Sequence, residues 1–120
     1  METHQSIQFL DDQSSILRKA EGFLKVIYDQ RKHTQLVFHN YSALNNAIQQ
    51  AKELCFNENM DAEDTETAVL ATGFYFGGFL IDYNQPAVAG KRQLQTFLTS
   101  EDVPATKIGA VLKSIDAIAG

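Results

Sequence analysis

The chain has 120 residues, of which 44% are hydrophobic, and its 15 acidic and 10 basic side chains give a formal net charge of −5 at pH 7. This length suits one domain with its own core, and the lack of a Lys/Arg stripe argues against binding to nucleic acid or an anionic membrane surface. The N-terminus lacks the basic and apolar regions of a signal peptide, which indicates a cytoplasmic protein.

The first predicted helix carries a continuous apolar stripe at helical spacing. The stripe consists of Ile16, Leu17, Ala20, Phe23, Leu24, Ile27 and Tyr28. Asp11, Asp12 or Ser14 is expected to cap the start of this helix. We expect it to end in the polar residues 30–34, and residues 1–12 to be frayed or to add one N-terminal turn.

An apolar connector and a second helix follow. Residues 36–38 (Leu-Val-Phe) are predicted to pack inward without forming a strand, and Asn40 is predicted to cap the helix. The stripe of this helix consists of Leu44, Ala47, Ile48, Ala51, Leu54 and Cys55. Cys55 is the single cysteine, so the pattern predicts a buried thiol and excludes an internal disulfide.

The most apolar stretch of the chain is residues 68–81. A membrane span needs about 20 apolar residues, so this shorter run, which follows several acidic residues, predicts the buried central helix of a bundle. Asp61 is expected to cap it. Gly73 and Gly77 lie four residues apart within it, and each costs about 1 kcal/mol relative to alanine in a helix. We therefore expect both to face one neighbour whose backbone approaches closely.

Two further helices are predicted, and each has a proline at its start, where the missing N–H is tolerated. Pro86 opens the fourth helix and Pro104 opens the fifth. The inner face of the fourth helix consists of Ala89, Gln93 or Leu94, Phe97 and Leu98. The stripe of the fifth helix consists of Ile108, Val111, Leu112, Ile115, Ile118 and Ala119. No segment shows the period-two pattern of a strand, so the sequence predicts an all-α, five-helix bundle in a single domain, residues 1–120.

No set of histidines or carboxylates has the spacing of a metal site. His4 and His33 lie among polar residues, and no two histidines are three or four positions apart, as two ligands on one helix face would be. The acidic residues of 61–66 lack the glycine and the final glutamate of a calcium loop. His39, at the predicted start of the second helix, is expected to be a structural hydrogen bonder.

Two segments resemble the HD-domain superfamily of metal-dependent phosphohydrolases. They are Phe38-His39-Asn40-Tyr41, ahead of a long amphipathic helix, and residues 70–79 of the central helix. The resemblance extends in helix order and spacing over residues 16–119. It implies an HD-like bundle in which His39 matches a histidine that serves the family as a proton donor.

The same resemblance implies that the metal site has been lost. Ala43 stands where the family has a metal-binding histidine, and Tyr75-Phe76 stands where it has an adjacent His-Asp pair. Residues 86–87 (Pro-Ala) stand where relatives have a further acidic or histidine pair, and the helix with the last metal-binding aspartate is expected to lie beyond the end of the chain. We therefore expect no metal, no cofactor and no catalytic residue, with His39 as a vestige.

Three functions are considered for such a chain. The first is a catalytically inactive HD-like domain that acts as a binding or assembly module, as a homodimer or with a protein partner. The second is a regulatory domain that binds a nucleotide or other small molecule in a vestigial pocket formed by His39, Asn40, Tyr75 and Phe76. The third is a residual phosphohydrolase. The homodimer is expected to bury more than about 1,000 Å² through the central or C-terminal helix, because four amphipathic helices do not enclose a helix that is apolar on every side.

Overall fold

A computed structural model describes residues 15–32 and 35–120 of the chain. Five helices make up this part of the protein: α1 (Ser15–Arg31), α2 (Gln35–Asn57), α3 (Ala62–Gly78), α4 (Pro86–Ser100) and α5 (Ala105–Ala119). No strand occurs within the described ranges, so the predicted all-α fold of five helices is confirmed. The predicted caps at 11, 12 and 14, the behaviour of residues 1–12, and His4 and His33 lie outside the described residues.

α3 is the central helix, as the apolar run predicts, and it contacts each of the other four helices. Asp61 caps its start, because the Asp61 carboxylate accepts the backbone N–H of Asp64 at 2.8 Å. Phe74, in the second half of α3, is fully buried, and its ring contacts those of Phe23 in α1 and Phe97 in α4 at centroid distances of 5.9 and 5.7 Å. Within the described ranges no helix, α3 included, is long and apolar enough to cross a membrane.

The outer helices turn most of their predicted stripes towards α3. Every predicted stripe residue of α1 is buried or partly buried, and Pro86 is the first residue of α4. Of the two alternatives at the inner face of α4, Leu94 is fully buried, whereas Gln93 is only partly buried. In α5 the stripe is shorter than predicted, because Ile118 is 40% exposed and Ala119 is exposed too, so burial ends at Ile115.

The predicted connector at residues 36–38 is wrong, because α2 already begins at Gln35. The helical spacing of inward-facing side chains extends back to Val37, which lies four residues before Tyr41 and seven before Leu44. Val37 and Tyr41 are partly buried and Leu44 is buried, as one continuous face requires. The apolar residues at 36–38 are therefore the first turn of α2.

The first turn of α2 also places two large apolar side chains at the surface of the protein. Leu36 and Phe38 were expected to pack inward, but they are 51% and 56% exposed. Asn40 was expected to cap the helix, but it lies more than a turn inside α2.

Lys52 occupies a core position in α2, whereas Leu54, which the sequence pattern places in the stripe of this helix, is exposed. Lys52 is 3% exposed and follows Ile48 by four residues, whereas Leu54 is 61% exposed. The Nζ atom of Lys52 lies 3.0 Å from Oε2 of Glu21 in α1. Because this carboxylate remains partly accessible to water, the ion pair can satisfy the ammonium group at the edge of the core.

The backbones of α3 and α4 approach each other closely at Gly78 and Gly90. A Cβ on Gly78 would overlap with the carbonyl oxygen of Pro86, and a Cβ on Gly90 would overlap with that of Phe74. These glycines allow the end of α3 to lie directly against the start of α4.

Gly73 and Gly77 do share a neighbour, as predicted, but it is a side chain and not a backbone. A Cβ on Gly73 would lie 3.5 Å from Leu24 Cδ1, and one on Gly77 would lie 2.6 Å from Leu24 Cδ2. The α2 side chains Ile48 and Leu44 lie 3.4 Å from the same two positions. This pair of glycines therefore makes room for the aliphatic side chains of α1 and α2.

Lys107 joins α5 to the start of α3. Its side chain is 13% exposed, and its Nζ atom lies 2.7 Å from Glu63 Oε1 and 3.2 Å from Glu66 Oε1. Burial lowers the pKa of Lys107, but its hydrogen bonds to the two glutamates outweigh burial, so the pKa is raised above its ordinary value of 10.5.

A lysine whose pKa is raised by folding stabilises the protein below the unfolded-state pKa, and this contribution is lost as the pH rises through the folded-state pKa. We expect Lys107→Met to lower the free energy of unfolding by about 1 kcal/mol at neutral pH, because it removes the ion pairs with Glu63 and Glu66. The loss is small because these ion pairs are partly exposed to solvent. The difference should shrink as the pH is raised above about 10.5. Thermal unfolding followed by circular dichroism from neutral to strongly alkaline pH measures it. The exposed Lys113→Met is the matched control, and a Lys107→Met difference that stays constant at high pH would contradict the prediction.

Candidate functional site

One face of the central helix is not fully covered by its neighbours. Ala68, Thr72, Tyr75, Phe76 and Phe79 are each only partly buried. Their spacing of i, i+4, i+7, i+8 and i+11 places them along one side of a helix. The residues between them that face other directions are buried: Val69, Leu70, Ala71, Gly73, Phe74, Gly77 and Gly78. Between Ala68 and Phe79, the partial exposure is therefore confined to a single, mostly apolar stripe.

The C-terminal part of this stripe is aromatic. The ring of Tyr75 contacts Phe76 and Phe79 edge-on at centroid distances of 5.2 and 5.5 Å. Phe79 in turn contacts Tyr83, which follows α3 and is 53% exposed, at 5.6 Å. We call these four residues, Tyr75, Phe76, Phe79 and Tyr83, the aromatic surface. Each of the four rings contacts at least one of the others, so their arrangement is already formed without a bound partner.

The first half of α2 borders the aromatic surface. The side-chain amide of Asn40 donates a hydrogen bond to the Phe79 carbonyl oxygen at 3.5 Å. The structure thus places Asn40 beside the end of α3, in the region of Tyr75 and Phe76. His39 is exposed, and the ring contact described for it is with Phe38 at 6.1 Å. Three of the four predicted pocket residues therefore lie in one region, while His39 faces a different direction on α2.

The segments of α2 and α3 that form and border the aromatic surface contain few formally charged residues. Residues 35–51 of α2 contain no Asp, Glu, Lys or Arg, and neither do residues 67–81 and 83–90. The exception is Asp82, whose carboxylate accepts the backbone N–H groups of Asn84 and Gln85 at 3.1 and 3.2 Å. These segments offer aromatic faces, hydroxyl groups and amides, and they contain no lysine or arginine that could bind a phosphate.

Two cavities lie away from the aromatic surface. One is an apolar space of about 10 Å³ near Gly73, lined by residues of α1, α2 and α3, with room for about one water molecule. The other is an open groove of about 560 Å³ at the N-terminal ends of α1, α3 and α5. Lys19 and Lys107 line this groove, and both are paired there, Lys19 with Glu101 at 3.0 Å and Lys107 with two glutamates of α3. None of the predicted pocket residues lines either cavity.

The positions that the HD resemblance assigns to metal ligands carry other groups. Ala43 is exposed on α2, and Tyr75 and Phe76 belong to the aromatic surface. Within residues 15–32 and 35–120, no three or more His, Cys, Asp or Glu side chains are grouped so that they could hold a metal ion. That the protein binds no metal stays a prediction, which elemental analysis of the purified protein can test.

Cys55 is buried in α2, as predicted. Burial raises the pKa of its thiol, and a hydrogen bond with Thr65 opposes this change only in part. A thiol with a raised pKa that solvent does not reach is a weak nucleophile, so Cys55 is a structural residue.

Sequence reasoning missed Phe79 and Tyr83 as parts of the site. The sequence feature that could have identified them is the recurrence of aromatic residues at 75, 76, 79 and 83. This helical spacing continues past the end of α3. No protein-family model, curated protein or solved structure matches this chain. The resemblance to the HD-domain superfamily therefore stays a prediction.

Proposed function

We propose that this protein is a non-catalytic binding and assembly module that uses its aromatic surface to contact another polypeptide. The observation that carries the proposal is the stripe of partly exposed side chains from Ala68 to Phe79, along a part of the central helix whose other side chains are buried. Exposed apolar patches on soluble proteins commonly mark interaction sites.

The composition of the surface supports a protein partner. The centres of protein interfaces are enriched in aromatic side chains and depleted in Lys, Glu and Asp. The aromatic surface has two Tyr and two Phe, and the flanking part of α2 up to Ala51 has no formally charged side chain. Tyrosine contributes a large rigid area and a hydroxyl group that pairs at the edge of a contact.

The proposal includes descent from an HD-domain phosphohydrolase. In that view an HD phosphohydrolase lost its metal ligands, and the alanine and aromatic residues now at 43, 75 and 76 occupy the vacated region. The hydrogen bond between Asn40 and the Phe79 carbonyl supports this view, because it brings the two resembling segments together.

A second candidate is a regulatory domain that binds an aromatic small molecule. The observation in its favour is that the Asn40 amide lies in the same region as the partly buried rings of Tyr75 and Phe76. An amide and aromatic faces suit the edge and face of a nucleobase. Because the bordering segments of α2 and α3 contain no lysine or arginine, this candidate favours a nucleobase or similar ring over a phosphate group.

Photo-crosslinking in the cells that naturally produce the protein tests the proposal. A photoreactive phenylalanine analogue at Tyr83 should form an adduct with a protein. The same analogue at Phe38 is the matched control, because Phe38 is 56% exposed and Tyr83 53%. Phe38 precedes Asn40 by two residues and so points roughly 200° away from it around α2. We expect an adduct at position 83 and none above background at position 38.

A thermal-shift assay with nucleosides and nucleotides separates the two candidates. Under the proposal, none of these compounds raises the melting temperature of the purified protein. A saturable rise that Tyr75→Ala abolishes, and that Val26→Ala on the exposed face of α1 does not, would establish the small-molecule function instead. Equal crosslinking at positions 83 and 38 would overturn the proposed function.

A further inference from the structure

We infer that the polypeptide bound by the aromatic surface is an acidic segment of another protein, which places apolar side chains on the rings and carboxylates near the lysines at the end of α1. This inference rests on the proposed function and makes the partner specific. Three properties of the described residues support it: the separation of charge along the bundle, the internal pairing of the few acidic side chains near the rings, and the lysines around Tyr28.

The aromatic surface lies at one end of a bundle whose helices alternate in direction. Tyr28, near the end of α1, stacks on Tyr41, near the start of α2, at a centroid distance of 4.0 Å. Asn40 joins the same part of α2 to Phe79, just after the end of α3. Residues 79–85 connect α3 directly to the start of α4, and an ion pair links the first half of α4 to the last turns of α5. All five helices therefore contribute one of their ends to this side of the molecule.

Charge is divided unevenly between the two ends. The end with the aromatic surface contains six basic and three acidic residues, and we call it the basic end: residues 24–32, 35–46, 71–93 and 112–120. The other described residues form the acidic end, which contains four basic and nine acidic residues. The basic end is thus positive although the whole chain carries −5. Because the Debye length is about 8 Å at physiological salt, a partner bound at the basic end responds chiefly to the charges of that end.

The acidic side chains of the basic end already have partners within the chain. Two form ion pairs with lysines at 2.7 and 2.8 Å, and the third accepts two backbone N–H groups in the turn after α3; they are, in this order, Asp29, Asp116 and Asp82. Asp82 is the one adjacent to Tyr83 in the chain, and these hydrogen bonds hold its carboxylate to its own turn. An incoming carboxylate therefore meets a positive end whose negative groups are engaged.

Two lysines of α1 lie around the tyrosine stack at the basic end. The Nζ atom of Lys25 lies 5.7 Å from the centre of the Tyr28 ring, and Lys32 follows Tyr28 by four residues, which places it on the same side of α1. Lys32 is 59% exposed, and its Nζ atom lies 3.8 Å from Asp29, which Lys25 holds at 2.7 Å. An ammonium group has three donors, so Lys32 retains donors for a carboxylate of the partner. Complementary charge of this kind favours an acidic partner over a basic one.

Mass spectrometry of the adduct formed by the photoreactive analogue at position 83 tests the inference. We expect the crosslinked peptide to come from another protein. Within about ten residues of the crosslink, which is roughly 35 Å of extended chain, it should contain more Asp and Glu than Lys and Arg. A protein segment without this acidic excess would reject the inference and leave the proposed function standing, as would a peptide of this same chain. An adduct with lipid alone, or none above the background at position 38, would reject both.

Binding of the crosslinked segment, as a synthetic peptide, to charge variants of the full chain tests the role of α1. Lys32→Glu should weaken binding about tenfold or more at low salt, and the difference should shrink as salt is added. Lys19→Glu is the matched control, because it makes the same change in net charge on the same helix at a side chain that is 58% exposed.

Lys19 precedes Lys32 by 13 residues, so it lies roughly 20 Å away along α1, towards the acidic end. At more than two Debye lengths, Lys19→Glu should change binding by no more than about twofold. Circular dichroism checks that both variants are folded. Equal weakening by the two variants, or none by Lys32→Glu, would show that the lysines at the end of α1 do not face the partner and would overturn the inference.

Discussion

Replacing Gly78 by alanine is expected to destabilise the protein by about 3 kcal/mol, although alanine is the better helix former. The added methyl group would overlap with the carbonyl oxygen of Pro86 and crowd the backbone nitrogen of Gly90, 3.0 Å from the new Cβ. Both belong to the backbone of α4, so no side-chain rotation relieves the overlap. The start of α4 would have to move away from α3, loosening the interface behind it. Chemical denaturation followed by circular dichroism measures the change in the free energy of unfolding.

The matched control for this prediction is Gly22→Ala in α1. A Cβ on Gly22 would meet nothing within 4 Å. Because the substitution only removes the conformational freedom of a helical glycine, it should stabilise the protein by roughly 0.5–1 kcal/mol. Opposite signs for the two variants are the expected result. If Gly78→Ala also stabilised the protein, the close approach of α3 and α4 would be wrong.

Phe74→Ala is expected to cost about 3–5 kcal/mol. The Phe74 side chain is fully buried, and its ring is in contact with Phe23 at 5.9 Å and Phe97 at 5.7 Å, while those two rings contact each other at 5.2 Å. Removing the ring leaves a cavity among α1, α3 and α4 and takes away two of the three aromatic contacts. Denaturant titration should show a lower midpoint with little change in slope if the variant still unfolds in one step.

Phe38→Ala is the control, because it removes the same side chain from a site that is 56% exposed. Its expected effect is within about 0.5 kcal/mol. This control also tests the first turn of α2, since a Phe38 packed inward, as the sequence alone predicts, would cost several times more. Comparable losses for both variants would contradict the structure at the start of α2.

Much of the fold was predictable because the apolar stripes are regular and the helix ends carry clear signals. Asp61 and Pro86 mark helix starts in both the sequence and the structure. The failures occur where a local pattern competes with tertiary context. Residues 36–38 look like an inward connector because three apolar side chains are adjacent, yet only Val37 continues the inner face of α2.

The position of Lys52 could not be predicted from its neighbours in sequence. A lysine at a core position is tolerated here because Glu21, on another helix and 31 residues away in the chain, supplies the counter-charge. The backbone contact between Gly78 and α4 could not be predicted locally either, because the distance between the two backbones depends on how the helices cross. Both features result from three-dimensional packing that no local pattern encodes.

The candidate site was predictable in part. The sequence drew attention to Asn40, Tyr75 and Phe76, and the structure places these in one region. It also indicated His39, which lies on another side of α2. The extension of the aromatic surface to Tyr83 depends on the turn after α3, where Phe79 retains helical backbone angles and so keeps the rings in line.

The uncharged run at residues 67–81 has a consequence for the chain before it is folded. In an extended conformation it is a stretch with several aromatic and β-branched residues and no proline, a composition that favours pairing between chains as β-strands. Acidic residues stand directly on both sides of it, Glu66 before and Asp82 after, and such flanking charges oppose stacking of identical segments. During synthesis α3 precedes α4 and α5, so two of its covering neighbours are made only after it has emerged. We therefore expect conditions that loosen the α3–α4 contact at Gly78 and Gly90 to expose this segment and to lower the solubility of the protein.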